Sequence, residues 1–111
     1  MPGEALNEFI WLREEKRLVQ IASAHVQYVE GLKDYVKVFL ADQMILSHMT
    51  MGKAEELFRP PTFIRIHRSH IVRRSAIRLI EGNRVRLTNG IELLIGPLYR
   101  EALKRAISPY Q

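Results

Sequence analysis

The sequence predicts a mainly β domain of the α+β kind, with antiparallel sheets and two short helices. Short apolar segments alternate with polar residues at the two-residue period of a strand. Small polar turns separate these segments, and the strand–helix–strand rhythm typical of a parallel sheet does not occur. The chain has 111 residues, 47% hydrophobic and 26% charged, which fits a single globular domain. Residues 1–8 are interpreted as a linker or leader, and the domain is expected at 9–111.

Strands dominate the predicted first half of the chain. Residues 35–40 alternate most clearly, because Val36, Val38 and Leu40 fall on one face of a strand and the residues between them on the other. A tight polar turn is expected to join the first two strands, and residues 31–34 to break the third. The predicted strands before the first helix are 9–13, 17–21, 27–30, 35–40 and 44–49.

The first helix is expected from Thr50 through Phe58. Thr50 is a good N-cap, and apolar residues recur behind it at the spacing of one helical face. Gly52 weakens the helix by about 1 kcal/mol relative to alanine. Pro60-Pro61 ends it.

The second half predicts further strands and a closing helix. In the segment that begins at Phe63, Ile64 and Ile66 are expected to point one way and the residues between them the other. Asn89-Gly90 is the strongest hairpin signal in the chain. Pro97 stands near the first turn of the last helix, where proline is tolerated. The remaining predicted elements are strands at 77–80, 84–87 and 91–95 and a helix at 98–107.

Positive charge is concentrated in the middle of the chain. The net charge is +5 and the pI is about 9.9. Residues 1–34 hold four basic and six acidic residues, a net −2, so the remaining 77 residues carry +7. Between Arg59 and Arg78 there are six arginines and two histidines, without any Asp or Glu. A need for solubility alone would explain the net charge of +5, but the clustering of the arginines favours a surface that binds nucleic acid.

The sequence does not predict an enzyme, a metal site or a cofactor. It has no cysteine, which excludes thiolate zinc sites and cysteine nucleophiles. No glycine-rich phosphate loop or Gly-x-Ser-x-Gly motif occurs, and the two aspartates, Asp34 and Asp42, both stand at predicted turns. His67 and His70 are three residues apart, which in an extended strand sends them to opposite faces. We therefore expect packing or hydrogen bonding of each, not metal binding.

The arginines have two interpretations. For Arg78 and Arg86, in regular strands, a solvated face is as good an explanation as binding. The arginines of residues 65–74 differ, because they surround a predicted strand end and turn in a segment without acidic partners. A guanidinium donates two hydrogen bonds to a phosphate, or to O6 and N7 of guanine. This group therefore favours a nucleic-acid contact.

The segment from Phe63 to Val72 resembles the most distinctive segment of the LytTR family, the DNA-binding domains of bacterial response regulators. The resemblance covers about residues 9–107. It implies an elongated, mostly β fold that reads DNA through loops set into major grooves. The supporting matches are Tyr28–Gly31, Asp34–Val38, Phe58, Pro60-Pro61, Ile77–Glu81, Asn89-Gly90, Ile95-Gly96 and Tyr99-Arg100.

The resemblance also implies a biological setting. It implies sequence-specific binding of double-stranded DNA by the output domain of a two-component transcriptional regulator, commonly as pairs on direct repeats. A receiver domain phosphorylated on aspartate and a histidine kinase would act upstream in the full-length protein. The chain is expected to be either a trimmed output domain or a stand-alone regulator. Alone it is expected to be a monomer in the bacterial cytoplasm, without a membrane partner.

By position, the resemblance places three DNA-contacting loops at 33–35, 67–69 and 96–100. Family members often have Ser and Arg in the third loop, where this chain has Gly-Pro-Leu at 96–98. Either Arg100 is therefore expected to make the base contact there in place of Leu98, or the loop is expected to contact only the DNA backbone.

Each loop receives predicted roles on this basis. Arg68 is the leading candidate for a contact with base edges, and Tyr35 and Arg100 are further candidates. The predicted phosphate contacts are Lys33, Lys37, Ser69, Arg73, Arg74 and Arg84. The residues predicted to orient the second loop are Arg65 and His67.

Two other functions remain open from the sequence. An RNA-binding β domain would stack bases on aromatic residues, but the nine aromatics do not cluster with basic residues in adjacent strands. A cationic module that binds an acidic protein is the other possibility.

No apolar run approaches the roughly 18 residues of a membrane helix, and the start of the chain lacks the pattern of a signal peptide.

Overall fold

The structure, a computed structural model, describes residues 8–108, which contain ten strands and two α-helices. It extends 46 × 34 × 24 Å along its principal axes. The prediction of an elongated, mainly antiparallel β fold with two short helices is confirmed. The elements are β1 (Phe9–Glu14), β2 (Arg17–Ala22), β3 (Val26–Leu32), β4 (Tyr35–Leu40), β5 (Met44–His48), α1 (Met51–Leu57), β6 (Phe63–His67), β7 (His70–Arg73), β8 (Ile77–Glu81), β9 (Arg84–Leu87), β10 (Glu92–Leu94) and α2 (Arg100–Ile107).

A five-stranded sheet in the order β5-β4-β3-β7-β6 forms the centre of the domain. Pairing of β3 with β7 joins the β3–β4 hairpin to the β6–β7 hairpin. β3 is longer than expected, because the predicted break at 31–34 narrows to a turn at 33–34. The N–H of Gly31 donates to the carbonyl of Ser69 at 2.9 Å, and this bond keeps the chain in the sheet.

Hydrophobic side chains pack against both faces of the central sheet, so its strands contribute to two cores. Val36 and Val38 face the first core, which the β1–β2 hairpin and α1 close. Ile64 and Ile66 face the second, which the β8–β9–β10 sheet and α2 close. The predicted inward alternation of residues 63–67 is confirmed, since Phe63 belongs to the first core and the two isoleucines to the second.

The two helices follow the predicted signals with one difference. The Thr50 hydroxyl accepts a hydrogen bond from the N–H of Lys53 at 3.1 Å, so α1 begins at the predicted cap. Residues Pro97–Tyr99 form a separate 3-10 turn, and α2 begins only at Arg100, not at residue 98. The Asn89-Gly90 turn is confirmed, with Gly90 at a φ of 90°.

No helix in the described range 8–108 is long and apolar enough to cross a membrane.

Candidate nucleic-acid interface

Two of the predicted DNA-contacting loops lie side by side at one end of the central sheet. The β3–β4 turn falls at 33–34 and the β6–β7 turn at 68–69. Glu30 pairs with His70 across β3 and β7, which puts both turns at the same end of these antiparallel strands. The Gly31–Ser69 backbone bond described above ties the two turns together.

The third predicted loop packs onto the same end. The N–H of Gly96 donates to the carbonyl of Ile66 at 2.8 Å. A β-carbon added at Gly96 would lie 3.1 Å from Cδ2 of Tyr99 and 3.5 Å from Cα of His67. The contact with the Tyr99 ring is tight, which favours a residue without a side chain at position 96, whereas the distance to His67 is an ordinary van der Waals contact. We call the segments 33–35, 67–69 and 96–100 together the three-loop edge.

Arg65 holds the β6–β7 turn from inside the fold. Its Nε donates to the carbonyl of His67 at 3.3 Å and its Nη2 to the carbonyl of Arg68 at 2.5 Å. Its Nη1 lies 3.1 Å from Oε1 of Glu55 in α1, and its Cζ lies 5.6 Å from the centre of the Tyr99 ring. The expectation that the arginines of this segment have no acidic partner is therefore wrong for Arg65, since the fold brings Glu55 from another element.

His67 and His70 are neighbours across the hairpin, and the prediction that they face opposite ways is wrong. The chain reverses at residues 68–69, so the two residues pair across β6 and β7 with ring centres 5.3 Å apart. Nδ1 of His67 accepts a hydrogen bond from the N–H of Ser69 at 3.1 Å. Burial, and then the charges of His70, Arg68 and Arg65, lower the pKa of His67. A neutral imidazole is the form that accepts this bond.

The histidine pair does not form part of a metal-binding cluster. Nε2 of His70 lies 3.4 Å from Oε2 of Glu30. Across residues 8–108, no group of three or more His, Cys, Asp or Glu side chains is arranged to hold a metal ion. The arrangement instead suits hydrogen bonding within the sheet end.

Arg68 is exposed at the tip of the β6–β7 turn. Its own carbonyl is bound by Arg65, but no described residue accepts a hydrogen bond from its guanidinium. The side chain is therefore available while the backbone that carries it is fixed.

The other candidates on this side of the molecule differ in exposure. Lys33 is exposed, at a φ of 56° in the β3–β4 turn. Tyr35 is 43% exposed, and its ring and that of His48 form a T-shaped pair with ring centres 5.0 Å apart. Lys37 is half-buried, beside Glu30 on the neighbouring strand. Arg84 is exposed at the start of β9, where it follows a turn whose Asn83 carbonyl accepts from the N–H of Ile95 at 2.8 Å.

Within the third loop, Arg100 and Leu98 have opposite surroundings. Nη1 of Arg100 donates to the carbonyl of Gly82 in the β8–β9 turn at 3.3 Å, and the residue is half-buried. Leu98 is 92% exposed.

Arg73 and Arg74 lie at the opposite end of β7 from Arg68. The four residues of β7 separate the ends by about 10 Å. Nε of Arg73 donates to the carbonyl of Val26 at 2.6 Å, and the same guanidinium contacts the hydroxyl of Ser75. Nη1 of Arg74 donates to the carbonyl of Ala106 in α2 at 2.9 Å. The structure therefore does not bring these two arginines to the three-loop edge.

Several residues that shape the edge have no individual role predicted from the sequence, although Gly96 and Tyr99 lie within the predicted third loop. Gly31 leaves room for the side chain of Met51 in α1, and Gly96 lies close to Tyr99 and His67. Glu55 and Tyr99 contact Arg65. Each acts through a partner distant in sequence, so no local motif indicates these roles. The Gly-Pro pair at 96–97 is the one local signal of a constrained loop.

Comparison with known proteins identifies the family and supports the fold. Residues 16–108 match the family described as the LytTr DNA-binding domain. A solved LytTr DNA-binding domain, from a Bacillus cereus protein described as a methyl-accepting/DNA response regulator, is similar with a TM-score of 0.79 and 19% sequence identity. The similarity covers 92% of this chain and 98% of that one. No curated protein sequence matches the chain. Because the family match extends over most of the sequence, this chain belongs to the LytTr family of DNA-binding domains.

Proposed function

We propose that this domain binds double-stranded DNA in a sequence-specific manner through the three-loop edge. The loops enter the major groove, where base pairs are distinguishable by their donor and acceptor patterns. The domain acts as the transcriptional output of a two-component response regulator. The similar Bacillus cereus domain belongs to a protein described as a response regulator, and this, together with the family match, supports the assignment.

The observation that carries the proposal is the contrast between Arg65 and Arg68. The guanidinium of Arg65 donates hydrogen bonds to two carbonyls of the β6–β7 turn. The carbonyl of Arg68 is bound in this way, but its guanidinium has no acceptor among the described residues. A rigid turn that presents an unpaired guanidinium is suited to a bidentate contact with O6 and N7 of guanine.

The remaining roles follow from position on the edge. Tyr35 and Arg100 are the further base-contact candidates, and Arg100 must first leave the carbonyl of Gly82. Arg65 and His67 orient the turn. The phosphate contacts proposed near the edge are Lys33, Lys37, Ser69 and Arg84.

Arg73 and Arg74, which the sequence predicts as phosphate contacts, lie away from the three-loop edge and are not assigned that role here. Both guanidiniums already donate to backbone carbonyls at the other end of β7. The proposal assigns them to holding the fold.

The wider setting follows the family. We infer that the domain is a monomer alone and pairs on DNA at direct repeats. In the full-length protein a receiver domain, phosphorylated by a histidine kinase, controls that pairing. The site of action is the bacterial cytoplasm.

Selection of bound sequences from random duplexes, followed by titration of the selected target, tests the proposal. The Arg68→Ala variant is expected to lose about 1–3 kcal/mol of binding free energy on the target. It should lose much less on a scrambled duplex, because non-specific binding depends on phosphate contacts. Single-stranded RNA and heparin at two salt concentrations serve as comparison ligands.

Two results would contradict the proposal. Equal losses on target and scrambled DNA would remove base readout from Arg68. Tighter binding to single-stranded RNA or to heparin than to the selected duplex, at both salt concentrations, would favour the RNA-binding or the cationic protein-interaction alternative instead.

A further inference from the structure

We propose that Leu98 reads the C5-methyl group of a thymine in the DNA target. This inference rests on the proposed function and adds to it an apolar contact beside the polar readout by Arg68. It assigns a thymine, at one fixed position, to the sequence that the domain prefers.

The exposure of Leu98 is unusual for the three-loop edge. At 92%, it is the most exposed large hydrophobic residue in the described range 8–108. A single exposed leucine on a protein surface is ordinary and by itself carries no function. Leu98 differs from such a residue in its position on the three-loop edge and in the bonds that hold its backbone there.

The backbone that carries Leu98 is held on both sides. On one side, the buried Gly96 donates to the carbonyl of Ile66 in the central sheet at 2.8 Å. On the other side, the N–H of Tyr99 donates back to the carbonyl of Gly96 at 2.9 Å and closes the 3-10 turn. Pro97 fixes the φ angle between them. An exposed side chain on such a turn loses little backbone entropy on binding.

The polar neighbours of Leu98 in the third loop are already engaged. The ring of Tyr99 lies beneath the guanidinium of Arg65, with 5.6 Å between Cζ and the ring centre. Arg100 donates to the carbonyl of Gly82 and is half-buried. Leu98 is therefore the large side chain that this loop presents to a ligand at the edge.

Thymine offers a leucine a matching group in the major groove. Its C5-methyl is the apolar feature of the base-pair edges there, and apolar side chains contact it. Contact between the two removes both from water, which favours thymine over cytosine at that position. Arginine at the edge would select guanine, so the two side chains select different bases.

Replacement of thymine by deoxyuridine tests this inference, because the change removes only the methyl group. In the selected duplex each thymine is replaced in turn, and binding is measured for the wild type, Leu98→Ala and the control Leu18→Ala. Leu18 is also exposed, at 59%, but it lies in β2. We expect one replacement to weaken wild-type and Leu18→Ala binding about fourfold, the effect of burying one methyl-sized group. Leu98→Ala should bind the thymine and deoxyuridine duplexes equally.

Each other outcome is decisive. If the wild type discriminates target from scrambled DNA but tolerates every deoxyuridine, the inference is wrong and the proposed function stands. If Leu98→Ala remains as sensitive to deoxyuridine as the wild type, another residue contacts the methyl group and the inference is wrong. If the wild type does not discriminate target from scrambled DNA, the proposed function fails and the inference fails with it. A Leu98→Met variant, which keeps an apolar side chain, should retain the deoxyuridine effect.

Discussion

The two ends of the β6–β7 hairpin carry similar residues and use them differently. At the turn end, the guanidinium of Arg68 is exposed without an acceptor among the described residues. At the far end, where β7 leads into residues 74–76, Arg73 and Arg74 each donate to a backbone carbonyl. The far end uses its cations to close the fold, whereas the turn end leaves one for a ligand.

This difference shows that cation density along a sequence does not map a binding surface. All these arginines lie within one acid-free segment, and sequence alone cannot separate them. Their hydrogen-bond partners separate them. Arg73 donates to the part-buried carbonyl of Val26, which would cost free energy without a donor, and Arg74, although exposed, donates to the carbonyl of Ala106. The account therefore assigns stability to the far end and recognition to the turn end.

The largest expected effect is on stability at the far end. Arg73→Ala leaves the carbonyl of Val26 without its charged donor. Removal of such a hydrogen bond costs about 1.5–3 kcal/mol of unfolding free energy. Urea denaturation measures this loss, and DNA affinity per folded molecule should change little. A fully stable Arg73→Ala variant with weakened binding to every duplex would restore the phosphate contact that the sequence predicts.

Arg65→Ala tests whether the turn end must be held in place to bind DNA. The substitution frees the carbonyls of His67 and Arg68 and releases the turn. We expect about a tenfold loss of target affinity, which is near 1.4 kcal/mol. Glu55→Gln is the matched control, since it removes only a partly exposed ion pair of about 0.2–1 kcal/mol. If Glu55→Gln weakened binding as much as Arg65→Ala, the ion pair would orient the turn, not the carbonyl bonds.

The turn end also predicts a pH effect on folding. Because the pKa of His67 is lowered in the folded state, its imidazole stays neutral there at pH values just below 6.5. In the unfolded chain the same imidazole has its ordinary pKa of 6.5 and takes up a proton at those pH values. The unfolded state then binds more protons, so stability falls as the pH decreases below 6.5 and is flat well above it. Denaturation of wild type and His67→Asn between pH 5 and 8 measures the difference, because asparagine offers an acceptor to Ser69 without titrating. An equal pH slope in both proteins would contradict this role of His67.

The smallest effect is expected at Arg78. This arginine is exposed in β8, and no described residue pairs with it. Arg78→Ala should change the unfolding free energy by less than about 0.5 kcal/mol. The slope of log affinity against log salt should also stay constant, as the solvated-face interpretation requires. A slope lower by about one unit would make Arg78 a phosphate contact.

Much of the fold follows from local patterns. Alternation in residues 35–40, the cap at Thr50 and the Asn89-Gly90 turn each depend on neighbouring residues, and the structure contains all of them. These features are predictable because short-range sterics and hydrogen bonding decide them.

The shape of the β6–β7 turn could not be predicted in the same way. A turn is expected in this segment, but residues 68–69 contain neither glycine, proline nor asparagine, so the sequence does not indicate how tightly the chain reverses there. The turn depends on Arg65 from within β6 and on the bond from Gly31, which is distant in sequence. The prediction that His67 and His70 face opposite sides of a strand is wrong for this reason. The acidic partners Glu55 and Glu30 also come from other elements, which only the tertiary fold brings near.

Backbone amide NMR during titration with the selected duplex tests the central claim most directly. We predict that the amides of Lys33, Arg68, Ser69 and Leu98 shift or broaden at stoichiometric DNA. Those of Arg73 through Ala76, at the far end of the same hairpin, should stay in place. Shifts confined to the far end, or an unmoved three-loop edge in the presence of bound duplex, would contradict the account.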